Sequence, residues 1–145
     1  MSQIIKNYSI PLFEEYSRKN TIDGNIISAT ISGIPLQLKV ASTSMSQAKG
    51  YSDELTQPDK TSGILFIYDT DQPLSFWMKR VKFPLDIIFF DSNMEYINHE
   101  TMDPIDDIDD SNIPTYHSNG PARFAVELQS GWCNKNMTSN CKLSF

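Results

Sequence analysis

The chain has 145 residues, a net charge of −6 and 39% hydrophobic residues, which fits one globular domain whose core needs neither a disulfide nor a metal. Seven acids and no Lys or Arg lie between Glu95 and Asp110, so the acidity forms one patch. The lack of a clustered basic face argues against a nucleic-acid partner. No apolar run is long enough for a membrane span or a signal peptide, so we expect a cytoplasmic protein or a virion component.

The chain divides into an N-terminal extension or arm, residues 1–22, and a single β-rich domain, residues 23–145. In the extension, Ser9 is a candidate cap for a short helix. The extension either docks on a partner or folds back on its own domain. Exposed Phe13 and Tyr16 would lower solubility, which favours the second alternative.

The first half of the domain predicts a hairpin and a helix. Asn25–Ser32 and Ile34–Val40 have strand-like patterns, and Gly33 between them indicates a turn. The polar segment Ser42–Leu55 has a narrow apolar stripe and Ser44 as a possible cap, which predicts a short helix.

The middle of the chain predicts further strands. Gly63–Tyr68 is a continuous apolar run typical of a buried strand, and Asp69–Pro73 has the composition of a turn. Phe76–Met78 and Asp86–Phe90 are short strands, and the second is expected to form a hairpin with Met94–Asn98.

After an acidic loop at Asp103–Tyr116, Ala122–Leu128 predicts another strand and Trp132–Met137 one helical turn. Lys142–Phe145 is expected to be the last strand. The whole pattern predicts a mostly β (α+β) fold, a compact barrel-like antiparallel or mixed sheet with one or two short helices.

Several short motifs occur in a specific order. They are Gly63-Ile64-Leu65-Phe66, Ser75-Phe76-Trp77-Met78-Lys79, Pro84-Leu85-Asp86-Ile87, Phe89-Phe90-Asp91 and Val126-Glu127-Leu128. In this combination the chain resembles the family called domain of unknown function 192, over about residues 34–143. The resemblance implies a shared fold but no activity, because the family's biochemical role is not established.

The chain departs from that family pattern at three places. It has Arg80-Val81 where the family usually has Asn-Thr, and Gly50-Tyr51-Ser52 where the family usually has Gly-Leu-Met. It also has Asn140-Cys141 where the family often has Gly-Asp.

The polar and amphipathic residues inside the family-like motifs are the candidate ligand-binding residues: Trp77, Lys79, Asp86, Tyr116 and Glu127. If they converge, they form a pocket with an aromatic wall and a Lys–carboxylate pair, suited to a small polar or sugar-like ligand. The alternative is that Trp77 belongs to the core and that Lys79 forms a structural ion pair with Asp86 or Glu127. A third interpretation takes the two carboxylates as a glycoside-hydrolysis pair.

The acidic loop offers hard oxygen ligands for Ca²⁺ through Asp103, Asp106, Asp107, Asp109 and Asp110. It lacks the central Gly and terminal Glu of an EF-hand loop, which favours a solvated loop and no cofactor. Near the C-terminus, Cys133 and Cys141 either form a disulfide or stay free. Synthesis in a cytoplasm favours two free thiols.

These features favour a non-catalytic binding or interaction module with a protein partner, self-assembly or a small polar ligand. It is expected to act as an accessory component of a larger assembly. One alternative is a structural decoration or attachment protein of a phage virion. Another is an enzyme of unknown reaction with a Lys–carboxylate pocket.

Overall fold

The computed structural model describes residues 21–106, 109–139 and 141–145. The predicted N-terminal extension, apart from its last two residues, lies outside this part. The described residues contain nine strands, two α-helices and one 3-10 helix. The strands are β1 (Ile26–Ile31), β2 (Ile34–Ala41), β3 (Ser62–Gln72), β4 (Ser75–Trp77), β5 (Leu85–Phe90), β6 (Tyr96–Met102), β7 (Thr115–His117), β8 (Ala122–Gln129) and β9 (Leu143–Ser144). The helices are α1 (Ser44–Lys49), the 3-10 helix Asp110–Asn112 and α2 (Trp132–Asn136).

Seven strands form one sheet in the order β6-β5-β8-β3-β2-β1-β9, and β4 pairs with β7 in a separate ribbon. The neighbours pair antiparallel except β2 and β3, which are parallel. A parallel pair needs a crossover connection, and here the crossover contains α1. At one end the edge strands meet, because Leu143 N donates to Met94 O at 3.0 Å. The sheet therefore curls into a half-barrel, which confirms the predicted mostly β fold.

The curled sheet has a hydrophobic core on each face. The inner core takes side chains from both ends of the sheet and from α2, including Ile31, Leu38, Ile88, Phe90, Phe124, Val126, Trp132 and Leu143. The outer core lies under the ribbon and the connection after β4, and includes Phe66, Phe76, Val81, Phe83, Ile87, Phe89 and Ala125. Because side chains alternate along a strand, neighbouring residues of β5 and β8 belong to different cores.

The predicted β1–β2 hairpin is confirmed. Its two turn residues, Ser32 and Gly33, have φ values of 53° and 78°. Two positive φ values in a two-residue loop are typical of the type I′ turn, whose twist matches that of the flanking strands.

Three predicted elements differ in their limits. Helix α1 is shorter than Ser42–Leu55 because Thr43, rather than Ser44, caps it through a capping box with Ser46. The predicted stripe is wrong, since no α1 residue is buried. Strand β3 continues to Gln72, through the segment predicted as a turn. Strand β6 runs to Met102 rather than ending at Asn98.

Both cysteines are buried and free, as predicted for an unoxidised pair. Within residues 21–106, 109–139 and 141–145, no helix is long and apolar enough to cross a membrane.

Gly63 lies where β3 passes close to β8. A Cβ atom on this residue would lie 2.3 Å from the backbone O of Glu127 and 2.6 Å from Leu128 Cδ2. We therefore expect Gly63→Ala to lower the free energy of unfolding by about 3 kcal/mol, because part of the backbone must shift. Gly120→Ala is the matched control, since nothing lies within 4 Å of its Cβ position. Equal stability of the two variants in urea denaturation would contradict this packing.

Candidate ligand-binding cavity

Glu127 is the central residue of the candidate site. It lies on β8 in the middle of the sheet, in register with Ile64 of β3 and Ile87 of β5. Only 4% of its surface is exposed, and Oε1 has no hydrogen-bond partner among the described residues. Burial raises the pKa of this carboxyl group to about 8. At neutral pH the isolated site therefore holds a mostly protonated glutamic acid.

The loop after α1 covers the Glu127 carboxyl group. Gly50 ends the helix with its N–H donating to Ser46 O at 3.1 Å, and its φ is 47°. A Cβ on Gly50 would lie 3.3 Å from Glu127 Oε1 and 3.6 Å from Phe66 Cζ. A glycine at this position therefore lets the loop approach the carboxyl group closely.

The same loop is bonded to the turn that follows β4. Ser52 Oγ donates to Lys79 O at 3.1 Å, and Asp53 N donates to Arg80 O at 2.8 Å. The Arg80 guanidinium group also forms an ion pair with the Asp53 carboxylate, with Nε 3.0 Å from Oδ1. These contacts fix the loop and the turn together and so define one wall of the cavity.

Between the loop, the turn and the sheet is a cavity of about 230 Å³. Five aromatic side chains line it: Tyr51, Phe66, Tyr68, Phe76 and Trp77. The polar lining is provided by Gln47, Lys49, Ser52, Ser75 and Glu127. Burial and the neighbouring Glu127 charge raise the pKa of Tyr51 above its ordinary value and that of Tyr68 to about 12. Both phenols are therefore neutral at physiological pH.

Trp77 is at the open side of the cavity. Its exposed fraction is 42%, so the alternative that it belongs to the core is wrong. On β4 its neighbour Phe76 packs into the outer core, and the alternation of the strand turns Trp77 away from that core. The core tryptophan is Trp132, which is 3% exposed.

Lys79 does not pair with Asp86 or Glu127, and that alternative is also wrong. Its Nζ lies 2.8 Å from Asp110 Oδ2 and 5.4 Å from the centre of the Trp77 ring. Both partners of this ion pair are exposed, so it contributes little to stability. The pair nevertheless connects the acidic loop to the side of the cavity.

Asp86 is separated from Glu127 by the sheet. It is 1% exposed and lies on the inner face, where Oδ2 accepts from Cys133 N at 2.9 Å and Oδ1 from Thr101 Oγ1 at 3.0 Å. The residue before α2 is Gly131, which has no side chain to cap the helix. The contact of Asp86 with Cys133 N provides this cap instead. Asp86 and Glu127 therefore do not form the carboxylate pair of a glycoside hydrolase.

Tyr116 lies on β7, opposite Phe76 in the ribbon. It is partly buried against the outer core and is not among the residues that line the cavity. Of the five candidate ligand-binding residues, the structure therefore places Trp77 and Glu127 at the cavity. Lys79 lies beside it.

Two carboxylates of the acidic loop already have partners within the protein. Asp109 Oδ1 accepts from Ser111 N at 3.4 Å, and Asp110 pairs with Lys79. Among the described acids, no group of three or more metal-ligating side chains converges. Asp107 lies outside the described residues, while Asp103 and Asp106 have exposed side chains. The solvated loop without a cofactor stays the prediction, with calcium binding as its alternative.

Most of the lining residues, including Tyr51 and Tyr68, are not among the site residues that the sequence predicts. The sequence pattern places Tyr68 at the end of a buried strand and Tyr51 in a predicted helical segment. One sequence signal for the cavity is available: Gly50 is followed directly by an aromatic residue at the end of a predicted short helix. Such a glycine marks a close backbone approach, but the sequence does not indicate what is approached.

The fold and the site define a β half-barrel domain with one carboxyl group buried beside a small aromatic cavity. A comparison with protein families matches residues 27–143 to DUF192, described as an uncharacterized ACR, and the chain belongs to this family. The predicted resemblance is thereby confirmed. A comparison with curated proteins gives no match.

Solved structures share this fold. The chain is similar to a protein of unknown function from Novosphingobium aromaticivorans DSM 12444, with a TM-score of 0.73, 25% identity and coverage of 83% of this chain and 85% of that one. It is also similar to a protein from Sinorhizobium meliloti 1021 that is provisionally named a transcription regulator. There the TM-score is 0.72, the identity 19% and the coverage 85% of this chain and 95% of that one. The second likeness shows the fold alone.

Two of the three predicted departures from the family pattern lie at the cavity. Tyr51, Ser52 and Val81 line it, and Arg80 forms the ion pair that holds its wall.

The raised pKa of Glu127 predicts a pH-dependent stability. The folded state holds this proton more tightly than the unfolded state, so stability is greatest below the ordinary pKa of about 4.5 and falls as the pH rises to about 8. Glu127→Gln removes the titration and mimics the protonated form. We expect the variant to gain roughly 2–4 kcal/mol over wild type between pH 5 and pH 9, at about 1.4 kcal/mol per pKa unit.

Urea denaturation at several pH values measures this difference. Glu100→Gln, which neutralises an exposed glutamate on β6, is the matched control and should follow wild type at every pH. A constant difference between Glu127→Gln and wild type from pH 5 to pH 9 would show that Glu127 titrates normally.

Proposed function

We propose that this chain is a non-catalytic binding domain, and that its ligand is a small polar molecule held in the cavity beside Glu127. The observation that supports the proposal is the buried Oε1 atom without a hydrogen-bond partner among the described residues. A buried polar group left without a partner costs about 1–3 kcal/mol. Such a cost is retained where a ligand uses the group, and here the group adjoins a cavity.

The lining of the cavity supports small-molecule binding. Five aromatic rings and several polar groups line it, so it offers both apolar stacking surfaces and hydrogen-bonding groups to a ligand. The volume of about 230 Å³ is smaller than the roughly 300–1,000 Å³ typical of such sites, so the ligand, or the part of it that enters, is small. The partly exposed Trp77 ring at the open side provides a surface on which a ligand can stack.

The same lining favours binding over catalysis. The described lining residues include no His, no Cys and no second carboxylate. Lys49 is the lining ammonium group, and its Nζ is 3.0 Å from Glu54 Oε1. Among the described lining residues, Glu127 therefore has no imidazole, thiol or second carboxylate with which to share proton transfer.

A second candidate function is an enzyme that uses Glu127 as its general acid or base. The observation that favours it is the pKa of about 8, because a group with a pKa near the working pH is effective in both roles. The binding and enzyme proposals make opposite predictions for the fate of a bound compound.

The assembly and virion interpretations depend largely on residues 1–20, which lie outside the described part.

A panel of sugars, polyols, amino acids and amines tests the proposed function by the thermal shift of the full-length chain. We expect at least one class to raise the melting temperature. For a ligand that binds the ionised form of Glu127, Glu127→Gln should weaken binding roughly 10- to 100-fold, because a hydrogen bond to a charged group contributes about 1.5–3 kcal/mol. Trp77→Ala should also weaken binding, whereas Tyr96→Ala, which removes an aromatic residue of similar exposure on β6, should not.

Two results would contradict the proposal. One is a panel in which no compound stabilises the chain. The other is a compound whose binding is the same in wild type, Glu127→Gln and Trp77→Ala. NMR at equal protein and ligand concentrations shows whether the bound compound is converted to a product. Such a conversion would favour the enzyme instead.

A further inference from the structure

Three polar side chains at the cavity can offer hydrogen-bond acceptors to a ligand. Gln47 Nε2 donates to Ile67 O at 2.7 Å and to Ala41 O at 3.4 Å, which leaves the amide carbonyl as the remaining group of that side chain. Ser52 Oγ donates its hydrogen to Lys79 O. Glu127 Oε1, when ionised, is an acceptor only. A ligand rich in donors is complementary to this set.

The basic groups near the cavity are already paired with other acids. Lys49 Nζ contacts Glu54 Oε1 at 3.0 Å and Ser52 O at 3.3 Å, and Lys79 Nζ contacts Asp110 at 2.8 Å. Arg80 pairs with Asp53. None of these three cations compensates Glu127, so an ionised Glu127 needs a positive charge from outside the described residues.

The aromatic wall suits the same charge. Aromatic rings attract cations to their faces through the negative potential of the π system. Five rings line this cavity, and on Trp77 such a contact already occurs, with Lys79 Nζ 5.4 Å from the ring centre. An ammonium group beside Glu127 would therefore lie close to one carboxylate and to aromatic rings.

Building on the binding function proposed above, we infer that the ligand is a small organic cation, whose ammonium group donates to Glu127 Oε1 and whose carbon atoms pack on the aromatic rings. The net charge of −6 assists the approach of such a ligand by long-range attraction. A neutral sugar or polyol would instead leave the ionised carboxylate uncompensated and favour its protonated form.

Proton linkage separates the two ligand types. The free site holds a proton on Glu127 below about pH 8, and a bound ammonium group displaces this proton into the solvent. The affinity for the cation therefore rises by up to about tenfold per pH unit as the pH increases from 6 toward 8. A neutral ligand that accepts a hydrogen bond from the protonated carboxyl group has the opposite pH dependence.

Matched pairs of compounds provide the test on the full-length chain. Butylammonium and butan-1-ol, and benzylammonium and benzyl alcohol, differ chiefly in charge. Binding is measured by chemical-shift changes of the Gly50 amide and the Trp77 indole N–H at pH 6, 7 and 8. We expect the ammonium member of each pair to bind at least tenfold more tightly at pH 8 and to weaken toward pH 6. Its binding should weaken at least tenfold in Glu127→Gln but not in Glu100→Gln.

The outcomes separate the two proposals. If the alcohols, or neutral compounds of the wider panel, bind as tightly as the ammonium compounds, the cation inference is wrong and the binding function stands. Ammonium binding that does not change with pH or in Glu127→Gln also overturns the inference. If neither these compounds nor any member of the panel shifts the Gly50 and Trp77 signals, both proposals fail.

Discussion

The burial of the Glu127 carboxyl group in the middle of the sheet is the constraint on which the site depends. A carboxylate in an apolar setting is costly unless it is paired, and here no cation of the described chain pairs with it. Because burial disfavours the charged form, the carboxyl group is more stable when protonated, and its pKa rises to about 8. Its register neighbours Ile64 and Ile87 are apolar members of the outer core, so the carboxyl group is chemically distinct from them.

The topology explains how a cavity forms beside this group. The parallel pairing of β2 and β3 requires a crossover, and that crossover contains α1 and the loop that covers Glu127. Gly50 lets the loop come close, and the contacts of Ser52 and Asp53 with the turn after β4 hold it there. The aromatic side chains on β3 and β4 complete the wall. One topological feature therefore produces both the covering loop and the cavity beneath it.

Much of the fold could be predicted from the sequence, because the hydrophobic patterns and turn residues of β1, β2, β5 and β8 are strong local signals. Less of the site could be predicted from the sequence. Asp86 and Glu127 occur in similar apolar strands, yet their side chains lie on opposite faces of the sheet. Asp86 caps a helix, whereas Glu127 adjoins the cavity. Trp77 was ambiguous for the same reason, since only the alternation of β4 decides which aromatic residue is buried. The partner of Lys79 depends on the path of a long loop, which local patterns do not determine.

The most direct test of this account is an NMR titration of the Glu127 side-chain carboxyl carbon in the ¹³C-labelled full-length protein, assigned by comparison with Glu127→Gln. We expect a midpoint at about pH 8, well above the ordinary glutamate pKa of about 4.5. A midpoint near 4.5 would show that Glu127 is solvated or paired in solution. The buried, uncompensated carboxyl group on which the binding proposals rest would then not exist.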